Sequence, residues 1–220
     1  MFGIKSSYER SVGNMREIDS STWDRREIFD FFSSISDPFY SLTFRLDVTR
    51  LRRFAKAQGL SFYYSLTYLV TQAVNSSEAF LYTLRDGKVC LLDRREPSFT
   101  DRRAEDKYFH IVTMPCRGSI ASFCEDAAEK SRSQKGFIDM ASESDALIYI
   151  SSLPWLDLSS LTNERDLDPD DAIPRIAWGR FTEEGGRCSL GMSVEINHRF
   201  VDGADVGEFA SHLENLIAAL

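Results

Sequence analysis

The sequence predicts an α+β fold, in which helices pack on a largely antiparallel or mixed sheet. First, segments with a hydrophobic period of two alternate along the chain with segments whose apolar residues have helical spacing. Second, Asp86-Gly87 lies between two apolar runs, which is a strong signal for a β-hairpin. Third, 220 residues allow one full hydrophobic core and are too few for two ordinary domains. We therefore expect a single domain spanning residues 1–220.

The N-terminal part of the chain predicts a helix, a strand and two further helices. Ser21 followed by Asp24 is typical of a capping box that opens a helix, and the apolar face of this helix carries Ile28, Phe31, Phe32 and Ile35. Apolar and polar residues then alternate strictly over 40–48, which predicts a half-buried strand. We expect Thr49 to cap a short helix that Gly59 ends, followed by a longer, mostly apolar helix over 61–74.

The remaining segments alternate between strands and helices. Residues 81–84 and 89–92 are expected to form the two arms of the Asp86-Gly87 hairpin. The acidic, polar segment 159–171 is expected to be a loop. Strands are predicted over 108–114, 146–150, 174–182 and 187–197, and helices over 119–131 and from Gly203 towards the C-terminus.

Composition and charge exclude several classes of protein. With 43% hydrophobic and 27% charged residues the chain has the composition of a soluble globular protein. A net charge of −8 argues against general nucleic-acid binding, because the phosphate backbone requires a basic face. The four cysteines show no CxxC spacing and are expected to be reduced, partly buried thiols. No segment has the length and apolarity of a signal peptide or a membrane span. We expect a cytoplasmic protein that binds neither nucleic acid nor a membrane.

The three histidines differ in their sequence context. His110 lies in a predicted strand and His212 in the last helix, predicted to face water, and a structural role is the better interpretation of each. His198 follows a predicted strand and is itself followed, four residues later, by Asp202-Gly203 at the turn into a helix. His-x-x-x-Asp-Gly would occur by chance in about one per cent of chains of this size. Rigid elements often present catalytic groups on the loops that adjoin them, so His198 is the candidate for catalysis.

Several segments, in the same order along the chain, carry a family resemblance. Residues 198–203 resemble the active-site signature of the chloramphenicol acetyltransferases, and 151–155 (Ser-Ser-Leu-Pro-Trp) resemble the Ser-x-x-Pro-Trp segment of that family. Residues 23–29 are similar to its N-terminal helix, and 62–63 and 85–87 also match. The similarity runs from Thr22 to the C-terminus and is weakest between Thr100 and Ser144. The signature is shared with a wider superfamily of coenzyme A-dependent acyltransferases.

The resemblance implies a fold, an assembly and a reaction. The fold would be a two-layer sandwich of a mixed sheet and packed helices, and the assembly a homotrimer with active sites at the subunit interfaces. Acetyl-CoA would be the co-substrate, with no metal and no covalent acyl-enzyme. His198 would act as general base on an acceptor hydroxyl, because imidazole exchanges protons in the pH range where enzymes work. Ser151 would donate a hydrogen bond to the oxyanion of the tetrahedral intermediate.

The resemblance also assigns supporting roles. Asp202 would pair with Arg25 and so fix the loop that carries His198. The remaining assignments are coenzyme A binding by Tyr63, Trp155, Arg180 and Phe181, and acceptor binding by Phe32, Tyr40 and Ala177.

The chain departs from the family pattern at eight positions. Asn197 replaces the first of two adjacent histidines; that histidine is not the base, so catalysis should survive the change. Arg180 replaces a lysine and Phe181 a tyrosine in the coenzyme A region. The other departures, which predict a reshaped acceptor pocket, are Phe32 for tyrosine, Tyr40 for phenylalanine, Ala177 for threonine, and unusual residues at Pro38 and Glu195.

Alternative interpretations remain at this point. Ser151 can be an ordinary strand-end serine, Trp155 a core residue, Arg180 a solvated charge and Asp202 a turn residue. The chain can also be an acyltransferase of the same mechanism for another small hydroxyl or thiol acceptor, or a catalytically silent relative that binds a ligand. The occurrence of His198, Ser151, Asp202 and Arg25 together argues against the silent relative, since a binding module needs none of them. Chloramphenicol is the acceptor that the resemblance favours.

Overall fold

The computed structural model of the chain describes residues 15–166 and 168–220. The helices are α1 (Arg26–Ser33), α2 (Thr49–Gln58), α3 (Phe62–Asn75), α4 (Ile120–Ser133) and α5 (Gly203–Ala218). The strands are β1 (Met15–Glu17), β2 (Phe39–Asp47), β3 (Tyr82–Arg85), β4 (Lys88–Leu92), β5 (Glu96–Asp101), β6 (His110–Thr113), β7 (Leu147–Leu153), β8 (Arg175–Gly179), β9 (Thr182–Glu184) and β10 (Arg187–Asn197). Two short 3₁₀ turns are Glu78–Leu81 and Met140–Ser142.

Seven strands form one mixed sheet. Its order is β2-β10-β8-β7-β5-β6, with β9 paired to the first part of β10. β7 runs parallel to β5 and to β8, and the other pairs of this sheet are antiparallel. A second, three-stranded sheet has the order β1-β4-β3. The predicted α+β class with a mixed sheet is therefore confirmed.

The two faces of the large sheet differ in chemistry. On one face the register partners across five strands are buried and apolar, namely Val112, Phe99, Ile150, Ile176 and Val194. Helices α2, α3, α4 and α5 contact the sheet strands, and α3 lies among the other three helices. α3 can occupy the centre of this layer because most of its residues are buried. The opposite face is more polar, because successive residues of a strand point to opposite sides.

Most of the predicted element boundaries are confirmed. Ser61 caps α3 by accepting a hydrogen bond from the Tyr64 amide, and Gly59 ends α2 with a left-handed φ of 67°. The Asp86-Gly87 turn has positive φ at both residues, 53° and 75°, as a two-residue hairpin turn requires.

Several predictions about elements were wrong. Ser21 hydrogen-bonds to Asp19 rather than capping a helix, and α1 begins later, at Arg26. Thr49 is the first residue of α2 rather than its cap. The predicted strand over 174–182 is interrupted after Gly179, where Leu156 O and Leu158 pack against the backbone so tightly that a Cβ would lie within 2.7 Å of them. β5 was missed because its sequence, Glu-Pro-Ser-Phe-Thr-Asp, contains one large apolar residue and a proline.

Arg95 joins several elements in the interior. It is fully buried, and burial lowers the pKa of its guanidinium to about 10. Its side chain donates to the backbone carbonyls of Phe80 (2.5 Å), Tyr82 (2.8 Å), Asp145 (2.7 Å), Leu147 (3.2 Å) and Ala172 (3.0 Å). Arg95 directly precedes β5, which begins at Glu96. Its hydrogen bonds therefore connect the start of β5 to β3 and to the start of β7, the strand that carries Ser151.

The polar segment after β7 covers part of the polar sheet face. Within 159–166 and 168–171 it contains no helix or strand, as predicted. Gly191 of β10 makes its close approach possible, because a Cβ there would lie 1.9 Å from Leu158 O. Glu195, one of the unusual residues, accepts hydrogen bonds from the Asn163 amide (3.0 Å) and from Arg165 Nε (3.1 Å). The segment is thereby held against β10, next to His198.

Candidate active site

His198 follows directly after β10. Its backbone N–H donates to Pro38 O at 2.7 Å, which fixes the chain where β2 and β10 end together. Its half-buried ring stacks on Phe32, with centroids 3.9 Å apart and planes at 17°, and contacts Tyr40 at 4.4 Å. Nδ1 is buried and has no hydrogen-bond partner among the described residues, which leaves Nε2 as the accessible ring nitrogen. Two of the three predicted acceptor-binding residues, Phe32 and Tyr40, therefore contact the predicted base.

Asp202 and Arg25 differ from the predicted simple pair. Asp202 is the N-cap of α5, accepting from the amides of Ala204 (2.7 Å) and Asp205 (3.1 Å), and its carboxylate lies 3.9 Å from Arg25 Nη1. The main partner of Arg25 is Asp205, which is bound through Nη2, and Nη1 donates to Phe200 O at 3.0 Å. Asp205 also accepts from the Asp202 amide (2.7 Å). The sequence analysis missed Asp205, although Asp-x-x-Asp has the spacing of a capping box.

Asn197 and Arg199, which precede and follow His198 in the sequence, form hydrogen bonds to the segment 168–171. The buried Asn197 amide donates to Pro169 O (2.9 Å) and Asp171 O (3.0 Å), while its oxygen accepts from the Arg199 amide (3.0 Å). Arg199 in turn donates to Pro169 O and pairs with Asp170 at 3.1 Å. The asparagine that departs from the family pattern thus holds the backbone on the N-terminal side of His198.

Ser151 lies in β7 on the polar face of the sheet and lines a cavity of about 420 Å³. Its lining includes apolar side chains, among them Phe109, Ile111, Phe137 and Ile138, and polar ones, among them Glu143, Tyr149, Asn163, Glu164 and Arg175. Ala177, the third predicted acceptor-binding residue, is the buried register partner of Ser151 and is not among the lining residues. It lies beside the predicted oxyanion donor, away from Phe32 and Tyr40.

The four residues predicted to bind coenzyme A lie together. Tyr63, Trp155, Arg180 and Phe181 all line a second cavity, of about 680 Å³. Tyr63 donates to Thr100 O at 2.6 Å, and burial raises the pKa of its phenol. Trp155 is 65% exposed, which excludes the interpretation that it is a core residue.

The charge of this second cavity is positive. Arg102, Lys107 and Arg180 line it, and no carboxylate among the described residues forms an ion pair with any of them. Asp101, a carboxylate in the lining, accepts hydrogen bonds from Tyr64 (2.5 Å) and from the Arg102 amide (2.8 Å). Arg102 and Lys107 were not predicted as binding residues. They lie between β5 and β6, and because β5 itself was not predicted, no local sequence signal placed them at this cavity. A cavity with three cations in a chain of net charge −8 suits an anionic ligand.

The two cavities adjoin. Thr100 and Phe109 line both, while the consecutive residues Ser151 and Ser152 each line one. The two cavities therefore meet near the ends of β5 and β7. Molecules bound in them can approach each other near Ser151.

His198 and Ser151 are far apart within one chain. Ser151 is in register with Ala177, which is in register with Ser193, and His198 lies five residues beyond Ser193. With strands about 4.8 Å apart and about 3.3 Å per residue, their Cα atoms are about 19 Å apart. The two side chains together span about 7 Å. They cannot contact the same reacting carbonyl within one chain.

The other two histidines and the four cysteines lie in surroundings that indicate structural roles. His110 Nε2 lies 3.0 Å from Ser131 Oγ in the interior, and His212 Nδ1 lies 2.7 Å from Ser76 Oγ. His212 is half-buried rather than facing water. All four cysteines are free and fully buried, rather than partly buried as predicted. Over residues 15–166 and 168–220, no cluster of metal-ligating side chains occurs and no helix is long and apolar enough to cross a membrane.

Comparison with known proteins identifies the family. The family model described as chloramphenicol acetyltransferase matches residues 13–214. Chloramphenicol acetyltransferase 3 of Escherichia coli is 27% identical over 206 residues, covering 92% of this chain and 97% of that protein. Chloramphenicol acetyltransferase 2 of Escherichia coli is 28% identical over 205 residues, covering 91% and 96%. A solved chloramphenicol acetyltransferase has the same fold, with a TM-score of 0.83 at 24% identity, covering 92% of this chain and 99% of that one. Because the family model spans most of its length, this chain belongs to the chloramphenicol acetyltransferase family of acyltransferases.

Proposed function

We propose that this chain is an acetyl-CoA-dependent O-acetyltransferase whose acceptors include chloramphenicol, the compound named by its relatives. The observation that carries the proposal is the meeting of the two cavities beside Ser151. The larger cavity offers cations and aromatic faces to a phosphorylated nucleotide, and the smaller one offers an apolar wall to a small acceptor. The chain would be one acyltransferase domain, as expected from the sequence.

Acetyl-CoA would bind in the larger cavity as a co-substrate. Arg102, Lys107 and Arg180 supply positive charge for its phosphates, and the exposed ring of Trp155 supplies a face for its adenine. Arg102 already lies over that ring, 5.6 Å from its centroid. These groups act on parts of the cofactor remote from the reacting bond, so they contribute binding and orientation.

The reaction would proceed by direct transfer. His198 Nε2 takes the proton of the acceptor hydroxyl while the hydroxyl oxygen attacks the thioester carbonyl. The carbonyl oxygen becomes an oxyanion, to which Ser151 donates a hydrogen bond. The tetrahedral intermediate then expels the coenzyme A thiolate, which takes back the proton from His198. The products are the acetyl ester and free coenzyme A, and the histidine returns to its starting state.

A homotrimer would bring the two halves of the site together. The separation of about 19 Å between His198 and Ser151 requires that the base of one chain acts with the serine of another. The surface around His198 is suited to an interface, because two large apolar side chains near Phe32 are exposed: Phe31 on the same helix (65%) and Ile35 just after its end (39%). A trimer would have a mass of about 75 kDa, three times the 25.1 kDa of the chain.

A cytoplasmic location fits the cysteines and the co-substrate. All four thiols are buried and unpaired in disulfides, as is common in a reducing compartment. Acetyl-CoA is an intracellular metabolite, so the proposed reaction requires the same compartment.

Release of coenzyme A thiol from acetyl-CoA, measured with a colorimetric reagent and chloramphenicol as acceptor, tests the proposal. We expect turnover by the wild type, and a loss of at least about 10²–10⁴-fold in His198→Ala. His212→Ala is the matched control and should keep the wild-type rate. Thiol release with another hydroxyl acceptor alone would identify a different acceptor. With a thiol acceptor the number of thiols does not change, so formation of the acetyl thioester, measured by chromatography, takes the place of thiol release. No release with any acceptor would identify a ligand-binding relative without activity.

A further inference from the structure

The smaller cavity is more polar than a flat, neutral acceptor requires. A nitroaromatic ring needs apolar lining residues such as Phe109 and Phe137. The lining also contains two carboxylates, Glu143 and Glu164, together with Arg175. Ionised groups in the wall of a binding cavity cost desolvation energy unless the ligand or the protein pairs them. The pairing of each charge therefore indicates what the ligand supplies.

Glu143 is only partly paired within the chain. It is 8% exposed, and Oε2 accepts a hydrogen bond from the Tyr149 hydroxyl at 2.9 Å. Oε1 is buried and has no hydrogen-bond partner among the described residues. The Thr113 hydroxyl is a neighbour, but it directs its single proton to Ser98 Oγ at 2.8 Å. Burial raises the pKa of Glu143 against the opposing effect of the Tyr149 hydroxyl, as expected for a carboxylate that lacks a cationic partner.

The cation in the cavity wall is already paired. Arg175 Nη2 donates to Asp171 at 2.9 Å, and Nη1 donates to Ile173 O at 3.3 Å. Glu164 is exposed at the cavity, and within the described part of the chain it forms no ion pair. The charge that remains unpaired on the cavity wall is therefore negative.

On the basis of the proposed function, we propose that the preferred acceptors are amphipathic alcohols that carry an ammonium group. Glu143 would bind the ammonium of the acceptor, while the reacting hydroxyl lies at Ser151 and the apolar part of the acceptor contacts Phe109. Tyr149, which carries the Glu143 hydrogen bond, is two residues from Ser151 on the same face of β7, about 6.6 Å along the strand. A small amino alcohol spans that distance. Glu143 is thus a residue that determines specificity, outside the group that performs the chemistry.

A matched pair of acceptors tests the inference. Chloramphenicol is neutral, whereas 2-amino-1-(4-nitrophenyl)propane-1,3-diol keeps its nitrophenyl ring and primary hydroxyl and replaces the dichloroacetamide by an amine that is protonated at pH 7. We expect the amine to bind at least about tenfold more tightly in calorimetry, with the higher kcat/KM. A hydrogen bond to a charged group is typically worth about 10–100-fold in binding. Glu143→Gln should therefore lower the ratio of the two kcat/KM values by about that factor.

Glu214→Gln is the control, because this exposed glutamate of α5 lies outside the cavity. It should leave the ratio unchanged. Equal affinity of the wild type for the two compounds would overturn the inference, and so would a Glu143→Gln variant with an unchanged ratio. Binding preference without release of coenzyme A would support the inference and contradict the proposed function. Since the wild-type affinities are decisive by themselves, the inference stays testable if Glu143→Gln does not fold.

Discussion

Replacing Asp205 by asparagine should destabilise the chain more than the same replacement at Asp202. Asp205 is the main partner of Arg25, and its side chain is 9% exposed. The substitution removes the charge that Arg25 binds and leaves that guanidinium with Phe200 O and the more distant Asp202. Asparagine at position 202 would still cap α5, since Asn and Asp are about equally good N-caps.

The magnitudes follow from these contacts. A hydrogen bond to a charged group is worth about 1.5–3 kcal/mol, so Asp205→Asn should cost about 2–3 kcal/mol. Asp202→Asn loses a 3.9 Å attraction between partly exposed groups and should cost less than about 1 kcal/mol. At about 2–4 °C per kcal/mol for a chain of this length, Tm should fall by about 4–12 °C for Asp205→Asn and by at most about 4 °C for Asp202→Asn.

Differential scanning calorimetry at pH 7 measures both values. The effect on activity should follow the same order, because the turn held by Arg25 contains Phe200 and adjoins His198. A larger loss of Tm in Asp202→Asn than in Asp205→Asn would refute this reasoning. It would mean that Asp202 carries the Arg25 pair, as the family resemblance implies.

Three further substitutions test the site and the core. Ser151→Ala should lower kcat about 10²–10³-fold with little change in the KM for acetyl-CoA, and a change confined to KM would contradict the oxyanion role. Arg180→Ala should raise the KM for acetyl-CoA several-fold, because a positive charge near the phosphates contributes to binding. The control is Arg53→Ala, on α2 and outside the cavity. Equal effects of the two substitutions would exclude the phosphate role. Arg95→Leu removes the donor to five carbonyls and should leave little folded protein by circular dichroism, whereas Arg132→Leu on the exposed side of α4 should melt like the wild type.

Local sequence patterns were sufficient for elements whose stability is local. The alternation in β2, the end of α2 at Gly59 and the Asp86-Gly87 turn depend on neighbouring residues, and each was predicted. β5 was not predictable in this way, because a sequence with proline and few apolar residues becomes a strand through its partners β6 and β7. The capping box at Ser21 failed because Asp19 competes for the serine.

The candidate site also has a part that the sequence predicted and a part that it could not predict. The prediction of four coenzyme A-binding residues came from a family resemblance, and all four lie in one cavity. The role of Asp205 depends on contacts between distant segments, since Arg25 is 175 residues from Phe200 and 180 residues from Asp205. The buried Glu143 Oε1 without a partner likewise depends on tertiary packing, so local sequence patterns could not predict either feature. The separation of Ser151 from His198 also became visible only with the strand register.

Mixing two inactive chains tests most directly the claim that each site uses His198 of one chain and Ser151 of another. His198→Ala and Ser151→Ala chains, co-expressed in equal amounts with different tags, are purified as mixed assemblies and assayed for thiol release. In a cyclic trimer that contains both variants, one of the three sites combines an intact histidine with an intact serine. We predict about one third of the wild-type activity in the purified mixed assemblies, far above either parent. Activity no higher than the mean of the two parents would contradict the shared site.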